Sequence, residues 1–258
     1  MVKVLNYLWR GWMIMIAGIL LILFFIPVYL LSIRKEHYKY AYFFVRMWCI
    51  CIFYGMGYRY ELKKLTEKKI SKNQQYVIIA NHTSLMDIML PVILFPDHPI
   101  CFVGKKELVK IPIFGTIYKR ICVMVDRSSA RSRALVYKKC AERMAEGDSI
   151  VIFPEGGVPD DTSILLDNFK DGAFILSREH NFPIAVFTFV GLKEMFPFDN
   201  GQGHPGKVRI FMNDIIEPTK NIQELKQVSH NLIKFTLDRK STRLNSSHLK
   251  LSRMPSSA

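Results

Sequence analysis

The chain has 258 residues, half of them hydrophobic, and a formal net charge of +14. That length allows one sizeable core with a small appendage, and the charge points to an anionic partner: nucleic acid, an anionic membrane surface or an acidic substrate. The apolar content exceeds what a soluble nucleic-acid binder needs, so nucleic acid is set aside and the membrane is favoured. The five cysteines form no Cys-x-x-Cys pair, are odd in number and lie mostly in apolar runs. This suits buried thiols in a reducing compartment. Neither they nor the seven histidines cluster, which argues against a metal site.

Residues 11–32 carry no charge. As a helix this stretch is about 33 Å long, enough to cross a bilayer. A cleaved signal peptide would have a shorter apolar region followed by small residues; here Leu30, Leu31, Arg34 and Lys35 follow, so retention is expected. A second apolar segment, residues 40–58, is rich in aromatics and contains Arg46. A charge in mid-segment argues against a second free span and for interfacial burial with Arg46 snorkelling to water. Basic residues flank the first segment on both sides, Lys3 and Arg10 before it and Arg34, Lys35 and Lys39 after it. The balance slightly favours the carboxyl side on the inside. Residues 61–75 are polar and lysine-rich and mark the boundary between an anchor, residues 1–60, and a globular domain, residues 61–240.

From residue 75 strand-like runs alternate with helical patterns. The runs are residues 76–80, 100–104, 122–125, 149–153, 184–190 and 208–212. Residues 131–146 read as a helix with Val136, Cys140 and Met144 on one stripe and Gly147 as its stop. Residues 221–237 read as another, with Leu225, Val228, Leu232 and Phe235 inward. The alternation predicts an α/β domain: a mixed, mostly parallel sheet flanked by helices, behind an N-terminal membrane-anchoring helical segment. Residues 241–258 are serine-rich and aperiodic, and are read as a non-native tail outside the fold. Without them the net charge falls to +11, still strongly basic.

The chemistry centres on Asn81-His82-Thr83-Ser84-Leu85-Met86-Asp87, between the run 76–80 and an apolar stretch, residues 88–94, that reads as a helix bent near Pro91. Open α/β sheets place ligands at such carboxyl ends of strands. Ser84 and Asp87 fit a capping box, which fixes where Asp87 points. A carboxylate on one ring nitrogen of His82 would hold the tautomer and leave the other nitrogen to accept a proton from an alcohol. Read alone, a histidine beside a turn is more often structural. Glu155, in Phe153-Pro154-Glu155-Gly156-Gly157, ends a second strand whose tip can converge on the same cleft. Arg127, just past a third, is a candidate phosphate ligand, because guanidinium binds phosphate through paired hydrogen bonds. No Gly-x-Ser-x-Gly or Ser-x-x-Lys nucleophile motif occurs.

Asn-His-x-x-x-x-Asp followed by Phe153-Pro154-Glu155-Gly156 resembles the glycerolipid acyltransferases, in particular the bacterial 1-acylglycerol-3-phosphate acyltransferases. The resemblance continues, in the family's order, through Gly104-Lys105-Lys106-Glu107-Leu108, Ile111-Pro112-Ile113-Phe114-Gly115, Val125-Asp126-Arg127, Phe169-Lys170-Asp171-Gly172-Ala173-Phe174 and Pro183-Ile184. It covers about residues 76–190. It implies transfer of a fatty acyl chain from acyl-CoA or acyl carrier protein to the hydroxyl of lysophosphatidic acid, with His82 and Asp87 catalytic. It further implies that Lys105, Arg127, Glu155, Gly156 and Lys170 bind substrate, Glu155 and Gly156 shaping the acceptor site. The implied partners are a bilayer, a lysophospholipid and the thioester donor, with no cofactor or metal, at the cytoplasmic face of the inner membrane. A two-helix anchor in one leaflet fits the N-terminal segments as well as a span does. One departure stands out: the family commonly continues Phe-Pro-Glu-Gly-Thr-Arg, whereas Gly157 and Val158 follow here. The rival readings are acylation of another lysolipid such as a lyso-ornithine lipid, hydrolysis of thioesters or lipids, and non-catalytic membrane binding by a basic protein.

Overall fold

The computed structural model describes residues 2–126, 129–158, 164–198, 203–218 and 221–251. It opens with two helices, α1 (Val2–Leu31) and α2 (Tyr38–Gly55), joined by a short turn. α1 is long and apolar enough to cross a membrane. Its outward stripe, Leu8, Trp12, Met15, Ile19, Ile22, Ile26 and Leu30, recurs every three or four residues, the spacing of one helix face. The opposite stripe packs inward: Trp9, Met13, Ile16, Ala17 and Leu20 rest on the core, and Phe24 and Phe25 pack beside Val28.

Seven strands follow: β1 (Tyr58–Lys64), β2 (Val77–Ile79), β3 (Ile100–Lys105), β4 (Val123–Val125), β5 (Ser149–Ile152), β6 (Ile184–Val190) and β7 (Gly206–Ile216). They form one sheet in the order β1-β7-β6-β2-β5-β3-β4. Every pairing is parallel except β6 with β7. The carboxyl ends of β6, β2, β5, β3 and β4 therefore share one edge of the sheet. Between the strands come α3 (Met89–Leu94), α4 (Phe114–Ile121), α5 (Ala130–Ala145), α6 (Gly172–His180) and α7 (Leu192–Met195), and α8 (Ile222–Leu251) closes the described chain.

Period-two alternation builds two cores, one on each face. Ile78, Ala80, Ala185, Phe187 and Phe189 face α2 and α3. Val77, Ile79, Cys101, Ile184 and Val186 face α5, α6 and α8. Val136, Cys140 and Met144 of α5 form the stripe read from the sequence. The mixed, mostly parallel sheet flanked by helices is thus the fold that the sequence predicts.

Several elements differ from expectation. β1 begins before residue 61, so the boundary expected there falls inside a strand, and α2 shares its core with the sheet through Cys49, Ile52 and Phe53. Arg46 does not snorkel: it turns inward and donates to the Ile93 carbonyl at 3.2 Å. That carbonyl lies in the last turn of α3, where carbonyls lack helical partners. Residues 85–94 are a 3₁₀ turn, Leu85–Ile88, leading into α3, with Pro91 in the first turn of α3, where its missing N–H costs nothing. On α8, Leu225 is buried and Val228 and Leu232 pack against the core as read, together with Ile233 and Leu237; Phe235 is instead 61% exposed. A buried polar chain turns Thr236 inward beside it. Thr188 donates to Asn213, and Asn213 donates to the Leu232 carbonyl and the Thr236 hydroxyl. α8 also continues through Leu251, into the stretch read as a tail.

Candidate active site

The Ile79 end of β2 delivers the motif to the carboxyl edge of the sheet. Asn81, buried, is fixed first: its amide donates to the Phe189 carbonyl and accepts from the Phe189 N–H, at 2.9 and 2.8 Å. The chain then turns sharply and Ser84 caps the 3₁₀ turn. Its hydroxyl accepts from the Met86 N–H at 3.2 Å and donates to the Phe196 carbonyl at 2.8 Å. Asp87 closes the capping box.

Asp87 is fully buried, and one oxygen, Oδ2, collects three donors. The N–H groups of Thr83 and Ser84 lie 2.5 and 2.7 Å from it, and His82 Nδ1 lies 3.2 Å from it. A carboxylate only accepts, so Nδ1 carries the proton and Nε2 keeps its lone pair. The ring stacks on Phe153 with centroids 4.3 Å apart and planes 16° apart, and Phe198 meets it edge-on. The imidazole is thus clamped in tautomer and orientation, with one basic nitrogen to offer.

Glu155 sits just past β5 and is 4% exposed. Its two oxygens accept the backbone N–H groups of His82 at 2.7 Å and Asp167 at 3.0 Å. Burial pushes its carboxyl up to about 6; the two amides and His82 pull the other way, more weakly. The side chain therefore pins the turn at His82 to the loop before α6. Gly156 adopts φ +80, and an added Cβ there would lie 2.5 Å from Lys170 Nζ. Its amide donates to the Phe153 carbonyl, so it closes the turn. That positive φ favours glycine, and the Lys170 side chain lies across it. The Lys170 backbone N–H donates to the Pro154 carbonyl at 2.8 Å. Lys105 is exposed at the end of β3, on the same sheet edge as His82. Arg127 lies outside the described residues.

Sequence reasoning missed the segment after α7. Phe196 accepts from Ser84, Pro197 accepts from Arg10 of α1 at 2.8 Å, and Phe198 touches His82. With Arg10, Met13, Ile14 and Leu85 these residues line a cavity of about 150 Å³. No local pattern marks residues 196–198; only the fold brings them to the histidine.

An α/β sheet that carries a histidine hydrogen-bonded to a buried carboxylate on its carboxyl edge, behind an N-terminal helix long and apolar enough to cross a membrane, defines the structural class. The family follows from comparison. Residues 62–190 match the model of the Acyltransferase family, and the chain belongs to that family. It is 28% identical over 210 residues to the chloroplastic 1-acyl-sn-glycerol-3-phosphate acyltransferase BAT2 of Brassica napus, covering 80% of this chain and 59% of the relative. It is 27% identical over 143 residues to the 1-acyl-sn-glycerol-3-phosphate acyltransferase of Helicobacter pylori, covering 55% and 60%. A lyso-ornithine lipid O-acyltransferase of Rhizobium meliloti is 29% identical over 98 residues, 38% of this chain and 32% of that protein. The chain thus spans no more than about three-fifths of these relatives. The crystal structure of the 1-acyl-sn-glycerophosphate acyltransferase PlsC from Thermotoga maritima shares the fold, with a TM-score of 0.78 at 21% identity over 93% of this chain and 98% of that one.

Proposed function

We propose that the protein transfers a fatty acyl chain from a thioester, carried by CoA or acyl carrier protein, to the free hydroxyl of lysophosphatidic acid, forming phosphatidic acid. The observation that carries this reading is the His82–Asp87 pair, with Nδ1 tied to a buried carboxylate and Nε2 left to act. Nε2 takes the acceptor hydroxyl proton as that oxygen attacks the thioester carbonyl. The C–S bond then breaks, and the imidazolium returns the proton to the departing thiolate. Asp87 stabilises the imidazolium in between. No acyl-enzyme and no cofactor enters the scheme. General-base help supplies about 10²- to 10⁴-fold, and positioning and electrostatics supply the remainder.

In this reading Lys105, Arg127 and Lys170 gather positive charge for the phosphomonoester, while Glu155 and Gly156 are positioning residues that hold the catalytic turn and Lys170. The apolar stripe of α1 seats the site on a membrane, with the sheet edge facing the cytoplasm. Acylation of a lyso-ornithine lipid has weaker support, resting on a match to 38% of the chain. The test is mass spectrometry of purified protein given lysophosphatidic acid, lysophosphatidylcholine and a lyso-ornithine lipid with each donor. Accumulating phosphatidic acid supports the proposal; free fatty acid would indicate a hydrolase, and an acylated ornithine lipid would move the acceptor.

A further inference from the structure

We infer that the turn at residues 108–113 is a second membrane-seating element, inserted beside α1 at the headgroup–acyl boundary of an anionic bilayer. The inference rests on α1 being membrane-embedded. It does not rest on the reaction.

The turn follows β3 and lies on the same sheet edge as His82. Leu108, Ile111 and Ile113 are 36, 46 and 45% exposed, with Pro112 exposed between the two isoleucines. This exposure is built in rather than left by a loose loop. The Ile111 N–H donates to the Leu108 carbonyl at 3.2 Å, and the Gly115 N–H donates to Ile111 at 2.8 Å. Gly115 lies so close under the turn that an added Cβ would fall 2.0 Å from the Val109 carbonyl oxygen. Ile113 has φ 65 and ψ −61, and the Phe114 N–H reaches back to the Pro112 carbonyl at 2.6 Å. That is a γ-turn of the rare positive-φ kind, which a β-branched residue adopts only under strain. In water the chain gains nothing by straining an isoleucine outward; against hydrocarbon it buries an apolar side chain.

α4 then ties the turn to α1. Ile117 packs against Val28 and its neighbours, and Arg120 donates to the Tyr29 carbonyl at 2.8 Å while stacking on the Tyr29 ring. α4 thus fixes the turn relative to the carboxyl-terminal end of α1. Exposed Lys105, Lys106 and Lys110 flank the apolar residues of the turn along the chain, with Glu107 among them. Apolar residues flanked by lysines match the boundary of an anionic bilayer. A second copy docked through the same patch would set lysines against lysines. Two seats, α1 and this turn, would fix the tilt of the molecule, with the sheet edge that carries His82 toward the lipid.

The full chain tests this with an environment-sensitive NBD probe on Ile111→Cys and, as control, on Lys138→Cys at the exposed face of α5. Both are reconstituted in phosphatidylcholine vesicles with and without phosphatidylglycerol, and the unsubstituted protein sets the labelling background. In protein that floats with vesicles, the probe at 111 should shift to the blue and escape aqueous iodide, more so with phosphatidylglycerol, while the probe at 138 stays aqueous. Lys106→Ala with Lys110→Ala should remove the phosphatidylglycerol-dependent part. The proposal is overturned if the probe at 111 behaves like that at 138 in floated protein, or if its shift follows protein concentration rather than lipid. It also falls if the protein does not float. No turnover is read, so a failed acyltransferase assay would leave a positive result standing.

Discussion

At the residue scale, the two carboxylates of the site make opposite demands, and replacing each by its amide separates them. All three donors around Asp87 converge on Oδ2. Asn at position 87 can keep an oxygen there and preserve the turn, losing the charge that stabilises an imidazolium. Glu155 meets an N–H at each oxygen, so Gln at position 155 must point a donor at a donor. Asp87→Asn should therefore abolish most activity with a small change in melting temperature. Glu155→Gln should lower unfolding free energy by about 1–3 kcal/mol at neutral pH, the usual cost of an unmet buried group, as chemical denaturation would show. A pH series sharpens this. The Glu155 carboxyl rises from 4.5 to about 6 on folding, so the folded chain binds this proton more tightly. The associated stabilisation is complete below 4.5 and is lost as pH rises through 6, an effect of about 2 kcal/mol. The gap between wild type and Glu155→Gln should narrow over that window; a flat gap would contradict the burial argument. The His82–Asp87 pair was legible because the two lie five positions apart and a capping box fixes Asp87. The contact of Glu155 with His82 was not, because 73 positions separate them.

At the element scale, periodicity found strands whose side chains are mostly buried and missed β1, in which Tyr58 alone is fully buried. β1 alternates Tyr58, Tyr60 and Leu62 with Arg59, Glu61 and Lys63 at the sheet edge, and its charges read as a linker; such charges blunt an exposed edge. α8 was found with Phe235 misplaced, because its neighbour Thr236 turns inward to meet buried Asn213. The Gly156 turn yields a prediction at this scale. Gly156→Ala must place a Cβ at φ +80 and displace the end of Lys170, so the strained backbone should cost about 1–3 kcal/mol and the displaced lysine should reduce acyl transfer. Thermal melting and rates measured together check it, and an unchanged melting temperature would show that the turn relaxes freely.

At the scale of the whole molecule, the N-terminal helices are part of the fold, and α1 is also long and apolar enough to cross a membrane. The composition pointed to the membrane, yet could not show that α2 completes the core on one face of the sheet and that Trp9 packs on Tyr58 and Phe196. Deleting residues 1–57 should thus leave an aggregating chain rather than an active soluble domain, which size-exclusion chromatography would reveal. Deleting residues 241–258 should leave melting temperature and activity unchanged; a loss of several degrees would show that the end of α8 packs.

The central claim is that His82, oriented by Asp87, is the base that moves an acyl chain onto lysophosphatidic acid. The most direct measurement is phosphatidic acid formation, followed by mass spectrometry, by wild type and His82→Ala in the same vesicles with the same thioester. The account predicts product from wild type and a rate at least about 10²-fold lower from His82→Ala, the range for a lost general base, with melting temperature and vesicle binding retained. A folded His82→Ala protein that keeps more than about a tenth of the wild-type rate would contradict it.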